Sequence, residues 1–121
     1  MAQYPQGIFQ TIQWLLRKVK ILALGKMPVY NLGTVNTNYT IQGRGLYFGI
    51  GGSASIVFPN PALYQGQTIV ISNIGSVNSI IVASNAYTPL DTSGTPINLL
   101  FTYSTYEFIS TGTKWVGGVY G

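Results

Sequence analysis

Residues 65–115 contain short β-branched and aromatic runs at 68–72, 79–83, 98–103 and 106–110, separated by clusters of Asn, Gly, Ser, Thr and Pro. Runs of four to six residues bounded by turn formers at this spacing belong to an all-β domain and leave little room for helices. Upstream, the runs at 39–41, 46–50 and 54–58 continue the pattern, punctuated by Gly43, Gly45, Gly49, Gly51 and Gly52. Pro59-Asn60-Pro61 ends the third of them, and Thr111-Gly112-Thr113 turns the chain into a last strand starting at Trp115. Residues 73–78 read as a hairpin connection in which Gly75 supplies a positive φ. Ile69 and Ile71 share one strand face and Ile80 and Val82 another, while Val70 and Ile81 point the opposite way, so both faces can be covered. The pattern predicts a mainly β fold, an antiparallel β-sandwich of jelly-roll type over residues 37–121, preceded by a linker over residues 27–36.

Only one stretch has helical periodicity. In residues 8–24, Ile8, Ile12, Leu15, Val19 and Leu22 follow a 4-3-4-3 spacing, the seam of a packed amphipathic helix. Gln10, Gln13, Arg17, Lys18 and Lys20 fall off that seam. Gly25 fits a C′ position, with Lys26 beside the negative end of the helix dipole and Pro28 beyond. Such a helix would be about 25 Å long. Phe9, Trp14, Leu16 and Ile21 widen the apolar face beyond a narrow seam. Three roles fit: packing on its own domain or a neighbouring subunit, a short parallel bundle in a homo-oligomer, or a membrane-surface helix. Spanning a bilayer does not fit, because Arg17, Lys18 and Lys20 would each cost about 2.5–3.5 kcal/mol there. Residues 1–26 are therefore expected to be an arm followed by an attachment or oligomerisation helix.

Charge divides the chain the same way. Charged residues are 7% of it, against about 25% in an ordinary soluble domain. With 46% hydrophobic residues, much of the apolar surface is expected to be covered by partner chains, which points to a homo-oligomer. The formal net charge of +4 comes from Arg17, Lys18, Lys20 and Lys26, since Arg44 and Lys114 balance Asp91 and Glu107. The β region thus lacks the basic stripe of a nucleic-acid surface. An acidic partner would be met by the basic face Arg17, Lys18 and Lys20. The start MAQYPQGIFQ has no basic segment ahead of its apolar residues, the reverse of a secretory signal, so synthesis in the cytoplasm without export is expected.

The residue types exclude most catalysis. Cys and His are absent, which removes disulfides, zinc ligands and the usual base of a Ser or Cys nucleophile. Two acids cannot build a carboxylate cage for a metal. Asp91 and Glu107 are the one pair worth weighing for glycoside hydrolysis, which needs two carboxyl groups about 5–10 Å apart. The plainer expectation is a loop Asp and a strand-surface Glu, the latter pairing with Lys114 across the turn between them. Gly43-Arg44-Gly45 has a superficial likeness to a phosphate loop but reads as a turn, since neither a helix nor a Lys-Ser/Thr pair follows. No cofactor, metal or catalytic residue is expected. Among the nine tyrosines, Tyr103 and Tyr106 cannot share one face of a regular strand. Tyr87, in the long loop 85–96, is the candidate ligand contact. Trp115 is expected in the core.

Gly66-Gln67-Thr68-Ile69-Val70-Ile71-Ser72-Asn73, Tyr106-Glu107-Phe108-Ile109 and Gly112-Thr113-Lys114-Trp115, in that order and preceded by Phe58-Pro59-Asn60-Pro61, resemble the small β-domains of bacteriophage head-fibre, tail-fibre and virion spike proteins. The likeness covers residues 54–121. It implies a non-enzymatic virion component, commonly a homotrimer, whose N-terminal segment docks on other virion proteins and whose distal loops touch host-surface glycans or proteins. The chain has no shaft, so a decoration or spike-base role fits as well as host attachment. The alternative is a carbohydrate-binding adhesin module.

Overall fold

The computed structural model describes residues 27–119. The arm and helix expected over residues 1–26, with Ile8, Ile12, Leu15, Val19, Leu22, Arg17, Lys18 and Lys20, lie outside the described residues.

The described chain is mainly β. Its strands are β1 (Val29–Thr34), β2 (Tyr39–Thr40), β3 (Gly45–Ile50), β4 (Ser55–Val57), β5 (Thr68–Asn73), β6 (Ile80–Val82), β7 (Leu99–Leu100), β8 (Ser104–Ser110) and β9 (Trp115–Val119), with a 3-10 turn at Pro61–Tyr64. The β-branched and aromatic runs are where these strands form. β1 is the exception, because it occupies the stretch expected to be a linker. Asn31 and Gly33 disguise it: the pairing with β3 shifts register between them, and Gly33 has φ +60°. An irregular strand of this kind reads as a turn in sequence.

The sheets are mixed, which corrects the antiparallel arrangement expected from sequence. One has the order β1-β3-β5-β8-β9 and the other β2-β4-β6-β7. β1, β3 and β5 run parallel, as do β2, β4 and β6. Only β7, β8 and β9 pair antiparallel to their neighbours. The chain coils between the sheets, adding one strand to each per circuit, and then reverses to finish both. A parallel neighbour requires a crossover, and here the strand of the opposite sheet serves as that crossover.

Residues 74–79 therefore form a corner between two sheets, not a hairpin. Asn73 holds it, with Nδ2 donating to the carbonyls of Asn78 (2.9 Å) and Leu100 (3.0 Å) and Oδ1 accepting from the Gly75 amide (2.9 Å). Gly75 is not among the positive-φ glycines. A Cβ there would sit 2.8 Å from Ile50 Cγ2, so close approach, not a left-handed backbone, accounts for it.

One core joins the sheets. Tyr47, Ile69, Ile71, Tyr106, Phe108 and Trp115 from the first meet Ile56, Ile80, Val82 and Leu100 from the second. Phe58 lies edge-on to Phe108 and Trp115, with ring centroids 5.2 and 6.0 Å apart. Tyr47 stacks on Tyr30 at 4.6 Å, and its hydroxyl donates to the Gly43 carbonyl (2.8 Å) and accepts from the Gln42 amide (2.9 Å). Burial pushes its phenol pKa well above the ordinary tyrosine value. Among the described residues, every buried side-chain polar atom has a hydrogen-bond partner.

Candidate functional site

The long loop between β6 and β7 is built by its own polar side chains. The Asn85 amide donates to Thr88 Oγ1 (2.8 Å), and Asn85 Oδ1 accepts from the Tyr87 amide (2.7 Å). Thr88 Oγ1 also reaches the carbonyl of Ala83 (2.9 Å). Further on, Leu90 acts as a fragment of strand beside β9. Its amide donates to the Trp115 carbonyl (2.9 Å), and its carbonyl accepts from the Gly117 amide (3.0 Å). Asn and Thr side chains that copy backbone turns fix such loops locally. The two Leu90 bonds then fasten this one to the sheet.

Tyr87 stands on this loop, 39% exposed. It rims a depression of about 140 Å³ that Asn85, Leu90, Pro96, Lys114 and Trp115 also line. Trp115 offers no ring face there because it is fully buried. The space suits one small polar group, not a whole sugar chain.

Asp91 and Glu107 sit in different surroundings. Asp91 Oδ1 accepts from Ser93 Oγ (2.7 Å) and from the amides of Ser93 and Thr95 (both 2.9 Å). These bonds, the Ser93 hydroxyl first, hold its carboxyl below the usual carboxylate range. Glu107 lies between the core residues Tyr106 and Phe108 on β8, so strand alternation turns it to the outer face of the sheet. Across the ladder it faces Gly118, not Lys114. One acid serves loop geometry and the other belongs to a sheet face. Among the described residues no group of three His, Cys, Asp or Glu could hold a metal ion.

A pH titration reads the role of Asp91 directly. A depressed folded-state pKa means its contribution is complete above the unfolded value, about 3.9, and fades as pH falls through the folded one. The Ser93 and Thr95 amide resonances should therefore titrate with a midpoint below that of a free Asp. Asp91→Asn should remove the response. A midpoint at or above the free value would contradict the geometry.

Tyr103 and Tyr106 part for a reason other than strand parity, because Tyr103 lies in the turn ahead of β8. Tyr106 is buried in the core, and Tyr103 is 52% exposed at a left-handed φ of 55°. Sequence reasoning passed over the surface beside them. Leu99, Phe101 and Val119 are 45%, 57% and 65% exposed, and with Ile97, Tyr106 and Asp91 they line an open groove of about 430 Å³. The groove lies beside β7 and the end of β9, the last strands of the two sheets, just past the stretch of β9 that Leu90 pairs. The aromatic Phe101 next to two exposed aliphatic residues was its sequence signal, legible only once β7 and β9 are known to be neighbours.

No protein-family model matches this chain, and no curated protein or solved structure is significantly similar to it.

Proposed function

We propose that this chain is a non-enzymatic structural protein of a bacteriophage particle, a head-fibre, spike or decoration component whose two sheets pack as a sandwich. It assembles with copies of itself, three being the preferred number, and attaches to other virion proteins through residues 1–26. In this reading it is made in the host cytoplasm and resides in the virion. The observation that carries the assembly half is the open apolar groove with Leu99, Phe101 and Val119 at its rim. Exposed apolar surface beside the edge strand β7 suits an association surface, because a monomer would leave that hydrophobic area uncovered. The virion half is supported by the likeness of residues 54–121 to small phage β-domains, and by the concentration of basic charge in Arg17, Lys18, Lys20 and Lys26, which suits docking on an acidic surface.

Native mass spectrometry of the full chain at micromolar concentration tests the assembly. A single closed oligomer is expected, and Leu99→Asp combined with Phe101→Asp should convert it to monomer with an unchanged circular dichroism spectrum. A stable monomer of the unaltered chain would contradict the proposal.

Tyr87 at the rim of the loop depression favours a second reading, a carbohydrate-binding host-attachment module. Glycan binding by the purified chain that Tyr87→Ala abolishes would move the assignment there.

A further inference from the structure

The depression at Tyr87 lies between two segments. One is the long loop, which contributes Asn85, Tyr87 and Leu90, and the other is the turn between β8 and β9, which contributes Lys114. The hydrogen bond from the Leu90 amide to the Trp115 carbonyl joins them. The turn is also closed on itself, since the Thr111 amide donates to the Lys114 carbonyl (2.9 Å) and the Lys114 amide donates to Thr111 Oγ1 (3.2 Å). The backbone of Lys114 is therefore held beside the loop before any ligand arrives, which lowers the ordering cost of binding.

What this space offers a ligand is donors. Lys114 is the one charged residue of the lining, and an ammonium brings three donors and no acceptor. Asn85 Oδ1 is taken by the Tyr87 amide, so Nδ2 is the group Asn85 has left to offer. Thr88 Oγ1 is used within the loop, by the Asn85 amide and the Ala83 carbonyl. Neither of the chain's two acids lines the depression. Asp91 serves its own turn and lines the other groove, and Glu107 faces Gly118 across the ladder. A cation beside a neutral donor, with no carboxylate in the wall, is complementary to an anion. One lysine balances one negative charge, so a carboxylate fits better than a phosphate, which carries nearly two.

We propose that this depression takes the carboxylate of an acidic sugar, with Lys114 and Asn85 binding the carboxylate and Tyr87 carrying the sugar ring. The assignment rests on the carbohydrate-binding reading above and names its ligand class. Size agrees, because about 140 Å³ admits a carboxylate group while the ring stays at the mouth. Tyr87, 39% exposed at that mouth, supplies an aromatic surface with a polar tip, which suits a ring that has one apolar face and hydroxyls at its edge.

The full-length, isotope-labelled chain is titrated with galacturonic acid, galactose and acetate at neutral pH and constant ionic strength, following the amide peaks of Asn85, Tyr87 and Lys114. Galacturonate should shift them saturably, at least about fivefold more tightly than galactose or acetate, as a charge-assisted hydrogen bond implies. Lys114→Gln should remove the preference over galactose, and Tyr87→Ala the preference over acetate. Unmoved peaks of β5 and β8 verify in the same spectra that each variant is folded. Acetate binding as tightly as galacturonate would overturn the proposal, as would a preference that survives Lys114→Gln. Galactose binding that equals galacturonate binding and is lost in Tyr87→Ala would overturn the acidic ligand and leave the carbohydrate reading standing. If neither sugar shifts these peaks, both fall.

Discussion

Trp115→Ala is expected to lower stability by about 3–5 kcal/mol, the cost of emptying a large aromatic site in a core. The ring is fully buried, 6.0 Å from Phe58 and 6.2 Å from Tyr64 between centroids. Its Nε1 donates to the Pro59 carbonyl at 2.8 Å, so truncation leaves that acceptor without its partner. β9 begins at this residue, and the Trp115 carbonyl also receives the Leu90 amide, so loosening here spreads to the long loop. For a domain of this size the loss corresponds to a melting temperature lower by roughly 20 °C. Trp115→Phe should recover part of it by refilling the site without the hydrogen bond. A Trp115→Ala protein that melts with the unaltered chain would show that the ring is not a core element.

Asn73→Leu should be comparably damaging although it makes the site more hydrophobic. Asn73 is fully buried and makes three hydrogen bonds with backbone groups of Gly75, Asn78 and Leu100. Leucine fills a similar volume but satisfies none of them. Each buried polar group left unpaired costs about 1–3 kcal/mol, which puts the total near 3–5 kcal/mol. Asp should not rescue, because a carboxylate can accept from Gly75 but cannot donate to two carbonyls, and it would bring a charge into the interior. Urea titration separates the mechanisms: the midpoint should fall with an unchanged slope if the corner is weakened and the unfolded state is unaltered. A midpoint shift below about 1 kcal/mol equivalent would mean that water replaces the lost bonds.

The strands were legible because β-branched and aromatic runs such as Thr68–Asn73 fit a pleated surface and little else. Their pairing was not. Reading consecutive runs as partners led to a hairpin between 68–72 and 79–83, whereas β5 and β6 belong to different sheets. The contrary signal was present in Leu46 and Val70, apolar residues on the face that an exposed antiparallel sheet would make polar. Asn73 looked like a turn former because its role depends on Leu100, 27 residues away. At the candidate site, the position of Tyr87 on the long loop was legible, but its fastening through Leu90 to β9 was not, since a lone Leu has no pattern. Asp91 was legible as a loop residue from the turn formers around it, but the meeting of the Ser93 hydroxyl and the Ser93 and Thr95 amides on its Oδ1 was not.

The assignment as a particle component is tested most directly by quantitative mass spectrometry of gradient-purified particles from cells in which the chain is expressed during infection. The chain should co-purify at a fixed ratio to the major capsid protein, in multiples of its own oligomer number, and resist removal by repeated banding. Deleting residues 1–26 should abolish its presence in the particle fraction. Abundance in the lysate with none in the particles would contradict the account.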